Sequence, residues 1–363
     1  MTSTLNYAQP LTFPNGAQLK HRIGLAALTN LQSPEKGKIS EEEMRWMRMR
    51  AEGGCSMIIT AATYITPSGQ GFPGQIGISS DEQLPGLTAA ADMMRANNAM
   101  GIVQLIHGGI RCPETITGMQ PVGPSDDSET GARALTLAEI DTIKSQFLDG
   151  AKRAQKAGFD GVEVHGAHNY LLAQFLSPIH NQRTDQYGGS IEKRAQLLLE
   201  ITAEIRDACG PDFVVGVRLS PEHHGVILDE TVAVYKMIIE QGVADFIDIS
   251  MWDVFKEPAD EKFQGKSLLS YFTDVDRGNI KLGVAGKLYN AQDIAKSIEL
   301  GADFVLLGRG AIFNHDFASQ ALENPDFQMV ERPVSREYLE KEGLSAPFIN
   351  YIANAWPEYL TNP

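Results

Sequence analysis

The sequence predicts an α/β protein with a (β/α)8 TIM barrel fold, organised as a single domain over residues 1–363. Two observations support this prediction. Short apolar runs typical of buried strands alternate about eight times with stretches of helical periodicity, and several helices end in glycine just before the next strand. An open doubly wound sheet usually has fewer strands and often carries a GxGxxG turn after the first one, which this sequence lacks. Eight units in one chain therefore favour a closed barrel.

The predicted strands and helices follow one another in a regular order. The strands are residues 23–28, 57–59, 101–105, 161–164, 214–219, 246–249, 280–284 and 304–307. Helical periodicity covers residues 41–52, 84–97, 137–157, 191–208, 230–241 and 291–300. Gly158, Gly242 and Gly301 stand where a left-handed residue closes a helix. Residues 112–136 form an excursion after the third strand. The tail from about residue 324 is expected to pack on the barrel or on a neighbouring subunit, which leaves a homo-oligomer open.

Composition excludes several classes of partner. The net charge of −15 disfavours nucleic acids and anionic membranes, because both are polyanions. No apolar run reaches the length of a membrane span, and the N-terminus has no secretory signal pattern, so the cytoplasm is the expected location. The three cysteines form no CxxC pair, which argues against a disulfide framework and a cysteine-ligated metal. The expected partner is a small-molecule substrate.

The ends of the last two predicted strands favour a phosphate site. In TIM barrels the active site lies at the carboxyl ends of the strands, and phosphate is often held after strands seven and eight. Here Ala285 and Gly286 follow the seventh strand, and Gly308 and Arg309 follow the eighth. Glycine allows close approach of the backbone, and arginine adds a charged donor. Either glycine alone could simply serve a tight turn, but together they favour a bound phosphate.

The fourth strand carries the densest group of candidate catalytic residues. Alternation along a strand places Glu163 and His165 on one face, so His165 lies at the catalytic end of the barrel. His168 lies in a glycine-containing turn that can bring it beside His165, and the pair could donate hydrogen bonds to one substrate oxygen. Tyr170 could supply a proton to the same pocket. No carboxylate accompanies the pair at metal-ligand spacing, so no metal site is expected.

Two further strand ends point polar side chains into the barrel. The third strand places Gln104 at the barrel mouth, and the fifth places Arg218 inside. A buried arginine needs an anionic partner. That partner could be a reduced flavin, which is negative near its N1–C2=O edge, or an internal carboxylate such as Glu163.

Residues 162–194, VEVHGAHNYLLAQFLSPIHNQRTDQYGGSIEKR, closely resemble the signature of the old yellow enzyme family. The resemblance extends from about residue 10 to residue 317. It implies bound FMN, NADPH or NADH as hydride donor, a substrate-binding pair at His165 and His168, and a proton donor at Tyr170. The implied FMN-binding residues are Ala27, Leu28, Thr29, Ala62, Gln104, Arg218, Ala285, Gly286, Gly308 and Arg309.

The chain departs from the family pattern at a few positions. Ala27 replaces the usual proline, His21 replaces an asparagine, and Asn169 stands where glycine is common. Arg111 lies one residue later than the arginine of the family's HAGR pattern, so that arginine's role does not carry over directly.

The resemblance implies an ene-reductase that reduces the C=C bond of α,β-unsaturated carbonyl or nitro compounds. Two alternatives stay open: an amine-oxidising or demethylating flavoenzyme on the same barrel, and a non-redox lyase or isomerase acting on a phosphorylated substrate. Trp252 and Phe72 are expected to shape the pocket, whereas His223 and His224 are expected in a solvated loop.

Overall fold

Eight parallel strands close into a barrel in the computed structural model, which describes residues 5–361. Each strand pairs with its neighbours in sequence, and the eighth pairs with the first through Val305 and Ile23. The barrel strands are β1 (Ile23–Leu25), β2 (Met57–Ile59), β3 (Met100–Ile106), β4 (Gly161–Gly166), β5 (Val214–Leu219), β6 (Phe246–Ser250), β7 (Lys281–Ala285) and β8 (Phe304–Leu307). The predicted (β/α)8 barrel is confirmed.

Helices that follow the strands lie outside the barrel, and the last four of them come after β8. They are α1 (Glu41–Glu52), α2 (Leu84–Ala96), α3 (Glu114–Thr117), α4 (Leu137–Ala157), α5 (Leu171–Leu176), α6 (Ile191–Cys209), α7 (Leu228–Gln241), α8 (Ser270–Thr273), α9 (Ala291–Glu299), α10 (Arg309–Phe313), α11 (Phe317–Glu323), α12 (Arg336–Lys341) and α13 (Ala346–Ala355). The longest begins at a capping box, in which the Thr136 hydroxyl accepts from the Glu139 amide, and ends at Gly158 with φ of +90°. Helix ends differ from the sequence prediction by no more than two residues.

Short strands and 3-10 turns lie in the segments outside the barrel strands. They are the paired strands Leu11–Thr12 and Gln18–Leu19, the strands Thr63–Tyr64, Val122–Gly123 and Arg133–Ala134, and 3-10 turns at Asn6–Ala8, Pro67–Gly69, Asp81–Gln83, Gly109–Arg111, Glu261–Phe263 and Pro357–Tyr359. The excursion predicted for residues 112–136 contains one short helix and two of these strands.

Aromatic side chains fill the amino-terminal end of the barrel. Phe13, from the loop between the two amino-terminal strands, packs on Phe246 and Phe304, with ring centroids 5.8 and 6.0 Å away. Phe246 and Phe304 begin β6 and β8, so this end of the interior is closed by packed rings. A side chain at Gly216 would collide with the Phe246 ring, which explains glycine at that point of β5. The carboxyl ends of the strands are thereby left as the place for a site.

The first strand is shorter than the sequence indicated. Residues 26–28 were predicted to continue it, but they leave the ladder after Leu25. Their backbone turns along the barrel mouth and lines the cavity described below. The apolar run predicts a strand, because apolar side chains occur equally in a β-strand and in the wall of a pocket.

The chain beyond residue 324 returns to the barrel through aromatic contacts. Phe348 of α13 packs edge-on against Trp46 of α1, with ring centroids 4.9 Å apart. The Tyr359 hydroxyl accepts a hydrogen bond from Arg309 at 3.1 Å. Within residues 5–361, no helix combines the length and the apolar character that a membrane crossing would need.

Candidate functional site

A cavity of about 570 Å³ opens at the carboxyl ends of the strands, within the size range of small-molecule sites. It brings together residues from the loops after nearly every strand. All of the predicted catalytic and cofactor residues line it: His165, His168, Tyr170, Ala27, Leu28, Thr29, Ala62, Gln104, Arg218, Ala285, Gly286, Gly308 and Arg309. The structure therefore brings these residues together in one cavity wall, and their catalytic and FMN-binding roles stay predictions.

The two histidines lie side by side in this wall. His165 is the last residue but one of β4, and the following turn carries His168 back towards it because His168 and Asn169 both adopt the left-handed region, with φ of 58° and 56°. Such backbone is costly for residues other than glycine and clusters at functional sites. His168 Nδ1 lies 3.2 Å from His165 Nε2, and His168 Nε2 lies 2.8 Å from the Ser250 hydroxyl. A ligand oxygen that replaced the bond between the two rings could accept hydrogen bonds from both of them.

Burial keeps both imidazoles neutral. Desolvation, followed by the positive charge of Arg218, holds the pKa of His165 and of His168 well below the usual value. Tyr170 packs against His165, with ring centroids 5.5 Å apart. Desolvation raises the pKa of the Tyr170 phenol, so this group stays protonated and can donate.

Beneath the cavity, the strand register assembles a buried polar cluster. Gln104 pairs with Glu163 across β3 and β4, and its Nε2 donates to the Glu163 carboxylate at 2.6 Å. Arg218 pairs with Asp248 across β5 and β6, and their side chains form an ion pair at 2.8 Å. The carboxylate that neutralises Arg218 is thus Asp248, whereas the sequence had suggested Glu163. Strand alternation offered a signal, since Phe246, Asp248 and Ser250 share one face of β6.

One end of the cavity is suited to a phosphate. Gly308 has open space where a side chain would project, with only a Leu28 methyl group within 4 Å at 3.8 Å. Gly286 has φ of 153° and leaves no room for a side chain beside Trp252 and Asp253. Arg309 donates to the Tyr359 hydroxyl, and in the part of the chain that the structure describes it forms no ion pair with a carboxylate. Arg309, a cation that is not paired with a carboxylate, and the open space at Gly308 together suit the binding of an anionic group.

The side chains deeper in the cavity fit the flavin ring. With its Nε2 bound to Glu163, Gln104 presents a carbonyl oxygen that can accept from a ring N–H. Arg218 and Thr29 are donors suited to ring carbonyl oxygens. Leu28, Ala62 and Ala285 supply small apolar surface for a planar ring. Among the described residues, no group of histidine, cysteine and acidic side chains could hold a metal ion.

The structure adds residues to the cavity that the sequence analysis did not assign to it. Ser250, Tyr351 and Trp356 line the wall, the last two from the carboxyl-terminal segment. Phe72 and Trp252 line it as expected. His224 was expected in a solvated loop, and this was wrong: it is half-buried in the wall, 5.8 Å from His168 between ring centroids. These residues lie far apart in the chain, so no periodic pattern in the sequence could show that they line the same cavity.

Comparisons with known proteins show what this chain is similar to. Residues 8–326 match the model of the NADH:flavin oxidoreductase / NADH oxidase family. The chain is 35% identical to the probable NADH-dependent flavin oxidoreductase YqiG of Bacillus subtilis, over 97% of each chain. It is 33% identical to an NADH:fumarate oxidoreductase of Klebsiella pneumoniae, over 93% of this chain but only 38% of that protein.

Solved structures give the same result. The old yellow enzyme homologue from Zymomonas mobilis superposes with a TM-score of 0.79 at 27% identity, over 92% of this chain and 96% of that one. Morphinone reductase superposes with a TM-score of 0.77 at 27% identity, over 93% of each chain.

Proposed function

The chain belongs to the NADH:flavin oxidoreductase / NADH oxidase family, which makes it an FMN-dependent oxidoreductase using NADH or NADPH, and we propose that it is an ene-reductase. Its substrates would be α,β-unsaturated carbonyl or nitro compounds. The observation that carries this proposal is the cavity wall in which a neutral histidine pair and a protonated phenol lie together. Family membership leaves no support for a non-redox lyase or isomerase.

Bound FMN would supply the hydride-carrying chemistry between the nicotinamide and the substrate. Arg309, Gly286 and Gly308 would hold its phosphate at the gap after β7 and β8. Thr29, Gln104 and Arg218 would orient its ring by the hydrogen bonds described above. Ala27, Leu28, Ala62 and Ala285 would pack against the ring.

The histidine pair would bind the oxygen that activates the double bond. His165 and His168 are neutral, so each can offer an N–H without the cost of burying a charge. Ser250 accepts from or donates to His168 and so fixes its ring. Donors held in a buried wall stabilise the negative charge that develops on the substrate oxygen.

Tyr170 would deliver the proton. Its phenol remains protonated because of burial, and its ring lies next to His165. A substrate whose oxygen contacts the histidines would therefore place its α-carbon near the phenol. Proton transfer at that carbon completes reduction of the double bond.

The test is a spectral titration of the purified protein without oxygen. NADH or NADPH should bleach the flavin absorbance, and cyclohexenone should restore it with formation of cyclohexanone. If the bands bleach but no enone or nitroalkene restores them, the flavin assignment stands and the substrate class is wrong. A protein that neither carries nor takes up FMN would contradict the cofactor assignment as well.

A further inference from the structure

Arg111 is a cation of the cavity that the proposed function does not use. The cavity wall holds four cationic side chains, Arg111, Arg218, Lys287 and Arg309, and no aspartate or glutamate. This is unexpected in a chain with 46 acidic residues and a net charge of −15. A wall of this kind attracts anions in spite of the overall charge.

The other three cations have a partner or an assigned ligand. Arg218 is paired with Asp248 at 2.8 Å, and Lys287 with Asp253 at 3.0 Å. Arg309 stands at the proposed phosphate end. Arg111 forms no ion pair with any carboxylate of residues 5–361, and it lies in the loop after β3, away from the phosphate end.

Two contacts fix the Arg111 guanidinium beside the catalytic groups. One of its nitrogens donates to the His168 carbonyl oxygen at 2.7 Å, and the guanidinium lies over the Tyr170 ring, 4.5 Å from its centroid. These contacts occupy one N–H and one face of the group. An arginine has five N–H donors in a planar fork suited to a carboxylate, so most of them stay available at the exposed rim of the cavity.

We propose that Arg111 binds a carboxylate of the substrate and so selects unsaturated ketones or esters that carry an acid group at the other end of the double bond. This inference rests on the proposed function. The activating oxygen would lie on the histidine pair, the double bond beside Tyr170, and the carboxylate on Arg111. The same donors would also suit the diphosphate of the nicotinamide coenzyme, and the experiment separates these two sources of anionic oxygen.

The experiment compares β-acetylacrylate with its methyl ester, which differ in one negative charge. Steady-state KM is measured with the holoenzyme for the parent protein, Arg111→Met and Arg111→Lys. We expect Arg111→Met to raise KM for the acid about tenfold and to leave KM for the ester nearly unchanged, because only the acid loses a charge-assisted bond. Arg111→Lys should restore part of the loss. Inhibition by levulinate, the saturated product, should weaken to the same extent as acid binding.

Lys287→Met is the matched control. It removes the same charge from the cavity wall, so a long-range field effect would raise KM for the acid in both variants, whereas a direct contact is specific to Arg111. A purely structural role for Arg111, through the His168 carbonyl, would raise KM for acid and ester alike. Either of these results would overturn the inference.

Rapid mixing with NADH and NADPH measures coenzyme binding and so tests the coenzyme diphosphate as the alternative ligand of Arg111. If Arg111→Met weakens coenzyme binding tenfold and leaves the acid unaffected, the anion belongs to the coenzyme and the substrate assignment is wrong. If cyclohexenone and the ester are not reduced at all, the ene-reductase proposal itself fails. Reduction of both neutral compounds without any effect of Arg111 on the acid refutes this inference alone.

Discussion

Replacing Glu163 with glutamine should change how the stability of the protein depends on pH. Glu163 is fully buried and contacts Gln104 at 2.6 Å. Desolvation and the neighbouring Asp248 raise the pKa of this carboxyl to about 8, against the lowering effects of Arg218 and Gln104. The group is therefore largely protonated at neutral pH, and glutamine has nearly the same shape and can still accept from Gln104.

The sign and size of the effect follow from proton linkage. Between the unfolded pKa of 4.5 and the folded pKa of about 8, the folded protein binds more protons than the unfolded chain, so the free energy of unfolding falls as pH rises. The loss is complete once pH exceeds about 8. At 1.36 kcal/mol per pKa unit, it amounts to roughly 5 kcal/mol. For 363 residues at about 2.1 cal/mol/K of unfolding entropy each, this corresponds to a Tm difference of roughly 6 °C.

The assay is thermal unfolding of the parent and Glu163→Gln holoenzymes at a series of pH values from acidic to mildly alkaline. The two Tm values should agree below about pH 4.5 and diverge progressively up to about pH 8, with the variant more stable. Glu43→Gln is the matched control: Glu43 is buried beside Asn30, outside the cavity wall, and burial raises its pKa to about 7. The Tm difference between Glu43→Gln and the parent should therefore stop growing at a lower pH than the difference for Glu163→Gln. A constant Tm difference between Glu163→Gln and the parent at every pH would refute a protonated Glu163.

Further predictions concern the cavity wall. Tyr170→Phe should slow reoxidation of the reduced protein by an enone about a hundredfold while leaving reduction by NADPH unchanged, as measured by rapid mixing; equal reoxidation rates would exclude Tyr170 as proton donor. His165→Leu should weaken binding of phenolic ligands about tenfold in an absorbance titration, because one of the two ring donors is lost, and unchanged affinity would contradict that role. Arg309→Met should raise the Kd for FMN about tenfold or more in a fluorescence titration of the apoprotein; an unchanged Kd would place the phosphate elsewhere.

The sequence predicted the barrel because its evidence is local. Apolar periodicity, capping residues and closing glycines lie within single elements, so residues 41–52 and 137–157 were predicted to the residue as α1 and α4. The candidate site residues could also be predicted, because TIM barrels gather the carboxyl ends of their strands at one face. Residues 26–28 were an exception, because apolar character alone does not separate the end of a strand from a pocket wall.

The sequence by itself determined the fold class, the family resemblance and the candidate site residues at the strand ends. Only the tertiary structure decided how those residues are paired: Asp248 with Arg218, Ser250 with His168, and Tyr359 with Arg309. The physical reason is that these partners are brought together by strand register and by the returning carboxyl-terminal segment, over distances in the chain that no periodic pattern spans. The position of Arg111 over Tyr170 was decided in the same way, by two loops that meet only in the closed barrel.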